Sequence, residues 1–245
     1  MQFVISKCVA WGDGKTSTQD WQQYAQNLVT QSQSLPLPTL TQMPAMQRRR
    51  LSAFAKITLH CALEASGDYQ HDIASVFSSR HGDLHKTTKL ISDVADKEAL
   101  SPTHFGLSVH NAVGGLFSIF TKNKAPLSAV AAGEDSFFMG LVDAIAKMQR
   151  YGYPRILYVY SDQGVPEHYQ QYVKQQPDNI AVALLIEPGN NSANFELNFT
   201  SQIPNLDEES SQLQALDFLR FYYGDSSQLT IESKRFNWSL SRNEK

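Results

Sequence analysis

The sequence has few cysteines, almost no excess of one charge and no long apolar run. Two cysteines in 245 residues cannot form the disulfide framework of a small secreted domain. A formal net charge of −3 gives no electrostatic reason to expect a nucleic-acid partner. No apolar segment is long enough for a transmembrane helix or a secretory signal. These absences predict a cytoplasmic protein without a membrane span.

The chain nevertheless contains enough apolar residues to fill a core. Its hydrophobic content of 42% suits one domain spanning residues 1–245. Residues 155–160 and 180–186 are rich in β-branched and aromatic residues, and a continuous apolar run such as 180–186 is typical of a strand buried on both faces. Helical patterns alternate with these runs, so the sequence predicts an α/β fold with a mainly parallel or mixed central sheet between helical layers.

Three helices are predicted from capping signals and apolar spacing. A polar helix is expected from residue 18 to about residue 33, with Ser17 or Thr18 as its N-cap. Residues 46–65 carry the clearest apolar stripe, which ends before Gly67. A third helix is expected over 134–151, where apolar residues recur with helical spacing.

Residues 125–141, APLSAVAAGEDSFFMGL, contain the most informative pattern in the chain. Small apolar residues predict an interior strand over 126–132, after which a glycine provides the turn into a helix. Many enzymes place a nucleophile at such an elbow, because the turn exposes one side chain beside the positive end of the helix. The elbow consists here of Gly133, Glu134, Asp135 and Ser136.

Together with residues 108–130, SVHNAVGGLFSIFTKNKAPLSAV, the elbow resembles the first half of a beta-ketoacyl synthase of the thiolase-like superfamily. In that family a glycine-containing helix, a proline turn and a small-residue strand lead to the catalytic cysteine. The resemblance is specific over 101–141 and weak over 190–245. It implies the N-terminal half of the thiolase-like fold, as in the short, chain-length-factor-like proteins called beta-ketoacyl synthase-like N-terminal domain.

The catalytic cysteine of that family is missing from this chain. When the family's pattern Thr-Ala-Cys-Ser-Ser-Ser-Leu is placed on the elbow, Gly133 falls on the cysteine, and a shift of one residue puts Glu134 there. Neither residue can form a thioester. Cys8 lies in the first apolar strand and Cys61 on the apolar side of a helix, where cysteines are usually inert.

The two carboxylates of the elbow allow two interpretations. At the start of a helix, Glu134 and Asp135 can cap free N–H groups and complement the helix dipole, which is the favoured interpretation. Alternatively, Glu134 replaces the nucleophile and polarises a thioester or acts as a base in decarboxylation. Ser136 has no evident His/Asp partner in the sequence, so we interpret it as a packing residue.

Two further groups are candidates for function. The resemblance places His110 and Asn111 in a structural helix, where we expect them to satisfy buried backbone groups. The histidines show no metal-ligand spacing, so neither a metal nor a cofactor is predicted. Arg48, Arg49 and Arg50 form the only basic run. They are either a docking patch for an acidic carrier protein or a solvated, ion-paired helix end.

The resemblance implies a ketoacyl synthase-like protein that lacks the condensing cysteine. The expected role is that of a partner or chain-length-factor-like subunit in fatty-acid or polyketide synthesis of the aryl-polyene type, with an acyl carrier protein and a full-length ketoacyl synthase as partners. A free-standing enzyme that acts on acyl thioesters through a non-cysteine group, or a structural relic, is the alternative. We expect a homodimer or heterodimer through the sheet edge near 127–131, and proline at Ser128 or Val130 should dissociate it.

Overall fold

A computed structural model of the chain describes residues 1–12, 14–27, 36–173, 179–189, 194–203 and 213–243. Eight strands form one sheet, and helices cover both of its faces. The strands are β1 Gln2–Gly12, β2 Ser75–Ser78, β3 Leu127–Val130, β4 Ile156–Asp162, β5 Ile180–Pro188, β6 Phe195–Ser201, β7 Gln228–Glu232 and β8 Phe236–Arg242. The helices are α1 Thr18–Ala25, α2 Ala45–Arg48, α3 Ala53–Ser66, α4 Leu84–Ala95, α5 Pro102–Gly106, α6 Ala112–Thr121, α7 Ser136–Tyr151 and α8 Gln214–Tyr223.

The sheet is mixed, with strand order β3-β2-β4-β5-β1-β6-β8-β7. In the described part of the chain, the parallel pairs are β2 with β3 and β2 with β4. The other pairs are antiparallel, including both neighbours of β5. β5 is buried from Ile180 to Ile186, as its apolar run predicts. The prediction of a mainly parallel or mixed sheet is confirmed in its mixed form, since burial on both faces does not determine strand direction.

The core has two halves, one on each face of the sheet. Helices α7 and α8 supply one half, in which Phe137, Phe138 and Phe218 are fully buried. Helices α3 and α6 supply the other half, with Ile57 and Phe117 fully buried. The predicted helical layers on both sides of the sheet are therefore confirmed.

Two predicted helices have different bounds in the structure. The helix expected over 46–65 is divided into α2 and α3, because the Ser52 side chain caps α3 by accepting a hydrogen bond from Ala55 N. The helix expected from residue 18 to about 33 ends at Ala25. Asn27 adopts a left-handed backbone with φ of 54°, a conformation common just beyond helix ends. Residues 28–33 of that prediction lie outside the described residues.

Candidate functional site

The elbow occurs where the sequence predicts it, although its strand is not interior. β3 is a four-residue strand at the edge of the sheet, and Gly133 follows it with φ of +63°. A single 3₁₀ turn over Gly133–Asp135 leads into α7. Ser136 fixes this turn, because its Oγ accepts from Ala132 N at 2.9 Å and donates to Gly133 O at 2.7 Å. Ser136 is therefore a structural residue, as interpreted from the sequence.

The elbow carboxylates bind α8 and the C-terminal hairpin, which is formed by β7 and β8, instead of capping α7. Asp135 is fully buried, and its Oδ1 accepts from Gln214 Nε2 at 3.1 Å and Trp238 Nε1 at 2.9 Å. Its Oδ2 lies 3.4 Å from Arg235 Nη2. Neither the 3₁₀ turn nor α7 has a side-chain cap. The interpretation of Asp135 as a cap is therefore wrong, because its oxygens satisfy partners 79 to 103 residues away in the sequence.

The turn between β7 and β8 also contacts the elbow next to Asp135. Lys234 N donates to Glu134 Oε1 at 2.6 Å, and Arg235 Nη2 donates to Ala132 O at 2.5 Å. Glu134 therefore serves as an attachment point for the hairpin, and the interpretation of Glu134 as a cap is also wrong. Among the described residues, no imidazole hydrogen-bonds either carboxylate or Ser136. The elbow thus holds neither a thiol nor a base-activated hydroxyl.

Neither cysteine offers a thiolate at neutral pH. Cys8 is half-buried in β1, and burial raises the pKa of its thiol to about 12. Cys61 is fully buried in α3, where its Sγ lies 3.6 Å from Ala181 O. Burial raises the pKa of the Cys61 thiol as well. Both residues are small apolar core groups, as interpreted from the sequence.

His110 and Asn111 lie immediately before α6, not within a helix. His110 Nε2 is 3.0 Å from Ser79 O, so the imidazole satisfies a backbone group of the loop that follows β2. Asn111 is the N-cap of α6 without a side-chain cap bond. This geometry gives His110 a structural role, in agreement with the favoured interpretation.

A buried carboxylate, Asp162 at the end of β4, was not among the predicted site residues. Asp162 accepts from Ser79 Oγ at 3.0 Å and from Tyr160 OH at 2.7 Å, and the N–H groups of Arg80 and His81 lie at 3.4 Å. Burial raises the pKa of Asp162 and lowers that of His81. Asp162 thereby holds the loop after β2 against β4. An acidic residue two positions after the run 155–160 was the available signal.

Two of the three predicted docking arginines line an open cleft of about 650 Å³, named here the basic cleft. Arg49 and Arg50 belong to it, whereas Arg48 Nη1 donates to Thr39 O at 3.2 Å. The basic cleft is lined by Arg49, Arg50, Ser52, Asp83, His85, Lys86, Lys89, Leu90, Ser101, Thr103, His104 and Leu107.

Within the described ranges, no three His, Cys, Asp or Glu side chains converge in a way that could hold a metal ion. The helices described include none long and apolar enough to cross a membrane.

The mixed sheet, its strand-elbow-helix turn and its two helical layers define a thiolase-like ketosynthase fold. The family described as "Beta-ketoacyl synthase, N-terminal domain" matches residues 19–241. The chain therefore belongs to the beta-ketoacyl synthase N-terminal domain family. A comparison with curated proteins finds no match.

Solved structures agree with this assignment. A ketosynthase (ApeO) in complex with its chain length factor (ApeC) from Xenorhabdus doucetiae contains a similar chain. That match covers 99% of this chain and 100% of the other, with 30% identity and a TM-score of 0.86. The ishigamide ketosynthase/chain length factor matches at 14% identity and a TM-score of 0.58, covering 85% of this chain and 69% of the other. A beta-ketoacyl synthase from Burkholderia phymatum matches at 9% identity and a TM-score of 0.65, covering 91% of this chain and 70% of the other. The last two similarities show the fold alone.

Proposed function

We propose that this protein is a chain-length-factor-like subunit that pairs with a complete ketosynthase in fatty-acid or polyketide synthesis of the aryl-polyene type. The observation that carries this proposal is the elbow. It keeps its backbone turn at Gly133 but has no thiol, and its two carboxylates are bound to the C-terminal hairpin. A chain with this elbow has no nucleophile there that could bind an acyl group covalently. The similarity to a chain from a ketosynthase and chain length factor complex supports the role of partner.

The free edge of β3 is the proposed contact with the ketosynthase. Pro126 O and Val130 O accept from Ser75 N and Ser79 N of the β2 side, so the even-numbered residues of β3 direct their backbone groups toward β2. Because backbone groups alternate along a strand, those of Leu127 and Ala129 point away from the sheet. Exposed edge strands are usually protected by charged side chains, and β3 carries none.

Apolar side chains extend this edge on both faces of the sheet. Ile119 of α6 is 73% exposed and Tyr151 of α7 is 63% exposed, and both helices pack against β3. A hollow of about 330 Å³ lies beside Tyr151 and Leu127. Large apolar side chains gathered at an unprotected strand edge favour a protein partner that adds a strand there.

The association can be tested with one matched pair of variants. Ala129→Pro removes a donor from the free edge without removing a bond to β2, and Ala129→Ser keeps the donor. In light scattering with the candidate ketosynthase, we expect the wild type and Ala129→Ser to form the heterodimer and Ala129→Pro to remain apart. A wild type that stays monomeric both alone and with the ketosynthase would contradict the proposal.

The finer parts of the proposal concern the carrier protein and the location. Arg49 and Arg50 are exposed and close together, which suits an acidic carrier protein that delivers the growing chain to the complex. A cytoplasmic location is part of the proposal and is supported by the two free cysteines. No observation on the described residues favours the free-standing enzyme, because Glu134 is already bound by Lys234 N.

A further inference from the structure

The basic cleft is formed where the amino ends of three helices meet. Ser52, Asp83 and Ser101 are the N-caps of α3, α4 and α5, and all three line the basic cleft. The two longer helices, α3 and α4, each add a partial positive charge at this end. Helix amino ends alone are an ordinary feature of such a fold. The basic cleft differs in the cationic side chains that line it.

Cationic side chains outnumber acidic ones in the basic cleft. It is lined by Arg49, Arg50, Lys86 and Lys89, and Asp83 is the only carboxylate among its described lining residues. Lys89 is paired with Asp93, which is not a lining residue. No ion pair between described residues involves either arginine or Lys86. Three cations therefore face the cleft with no carboxylate partner in the described part of the chain.

Among the described residues, the Asp83 carboxylate forms no ion pair with these cations, which outnumber it. Asp83 is buried, and its Oδ1 accepts from Lys86 N at 3.2 Å and from Gln163 Nε2 at 3.4 Å. His85 Nε2 lies 2.7 Å from Gly164 O. These bonds join the floor of the cleft to the segment that follows β4. The basic cleft thus lies at the carboxyl ends of β2 and β4, where α/β proteins bind ligands.

We propose that the basic cleft binds the phosphate group of a small molecule. Two guanidinium groups and an ammonium group suit a phosphate, which carries up to two negative charges and three acceptor oxygens. A volume of about 650 Å³ lies within the usual range for small-molecule sites. The inference goes beyond the proposed function, because it requires neither a ketosynthase nor a carrier protein. Three sources share this chemistry: inorganic phosphates, nucleotides and a phosphopantetheine arm.

Calorimetric titration of the whole protein distinguishes these sources. The probes are pyrophosphate, ADP and 4′-phosphopantetheine, and adenosine and pantetheine are the phosphate-free controls. We expect at least one phosphate probe to bind with a Kd between about 10 μM and 1 mM, and added salt to weaken its binding. Arg50→Gln and Lys86→Gln should each weaken binding about tenfold. Arg150→Gln removes an exposed arginine outside the basic cleft and should leave binding unchanged.

The outcomes separate this inference from the carrier proposal. Thermal unfolding of each variant shows whether it is folded, and Arg50→Lys, which keeps the charge, should lose less affinity than Arg50→Gln. No binding of any phosphate probe at about 10 mM, or equal binding by Arg50→Gln, Lys86→Gln and Arg150→Gln, would overturn the inference. If an intact carrier protein binds while no phosphate probe does, the inference fails and the carrier proposal stands. If only the probes bind, the inference stands without the carrier.

Discussion

At the scale of single residues, Asp135 determines how the elbow is used. Its carboxylate serves a tryptophan N–H, a glutamine amide and an arginine, all from the C-terminal part of the chain. The preference for acidic residues at helix starts predicts that Asp135 caps α7, but its carboxylate instead accepts hydrogen bonds from Gln214 and Trp238. The sequence supplies the residue, but no local pattern indicates a partner 103 residues further along.

Asp135→Ala should destabilise the protein strongly. The substitution leaves Trp238 Nε1 and Gln214 Nε2 without a buried acceptor, and we expect a loss of about 2–4 kcal/mol in the free energy of unfolding. Glu134→Ala is the matched control. It removes one bond from a half-buried residue and should cost about 1 kcal/mol. Urea unfolding measures both values, and equal costs would contradict the assignment of Asp135 as the main attachment.

The missing thiol predicts an enzymatic result. The isolated protein should not condense acyl and malonyl thioesters, and mass spectrometry after incubation with an acyl-carrier thioester should detect no acyl adduct. The reason is that neither thiol ionises at neutral pH and neither cysteine belongs to the elbow. A complete ketosynthase is the positive control. An adduct on Cys8 or Cys61 would show that the interpretation of both thiols is wrong.

At the scale of elements, helix α7 depends on a close approach at Gly140. A Cβ on Gly140 would lie 2.7 Å from Ser78 Cβ and 2.8 Å from Tyr158 Cε2. Gly140→Ala should therefore destabilise the protein by about 1–3 kcal/mol, although alanine is the better helix former. Gly115 of α6 has open space around its Cβ position, so Gly115→Ala should stabilise by about 0.5–1 kcal/mol. Thermal unfolding should shift in opposite directions for the two variants.

The elements also show what the sequence can predict. The helical spacing of apolar residues predicts α7, and the glycine predicts the turn at Gly133, because both signals depend on neighbouring residues. For β3 the sequence led to two expectations, an interior strand over 126–132 and a sheet edge near 127–131, since a short run of small apolar residues looks the same at an edge and inside a sheet. The structure places β3 at the edge. The proposed proline positions are corrected for the same reason. Ser128 and Val130 direct their backbone groups toward β2, so Ala129 is the position that tests the free edge.

At the scale of the whole molecule, one sheet joins residues 101–141, where the resemblance to beta-ketoacyl synthases is specific, to the rest of the described chain. β6, β7 and β8 continue the sheet beyond β1, in the region where the resemblance was weak. Their role at the elbow depends on pairings and hydrogen bonds between distant segments, which a single sequence does not reveal. The prediction of one domain spanning residues 1–245 stays a prediction.

Buried thiols and phenols predict that the whole protein loses stability at high pH. The pKa of Cys8 rises from 9.0 to about 12 on folding, so between these values the unfolded chain loses a proton that the folded chain keeps. Stability therefore falls as pH rises through this window. Tyr158 and Tyr160 act in the same direction, because burial raises their pKa values above 10.0. Urea midpoints at pH 8 and pH 10 should differ less for Cys8→Ala than for the wild type; equal differences would exclude a contribution from Cys8.

The unprotected edge of β3 makes assembly sensitive to how much of this chain and of the ketosynthase a cell produces. Under the proposed function, a second copy of this chain and the ketosynthase compete for the same strand edge. The share of this chain in the productive complex then depends on the ratio of the two chains as well as on their concentrations. Overproduction of this chain alone would put a larger share of its copies into self-pairs, while the amount of heterodimer would not fall, because the free monomer still rises with the total.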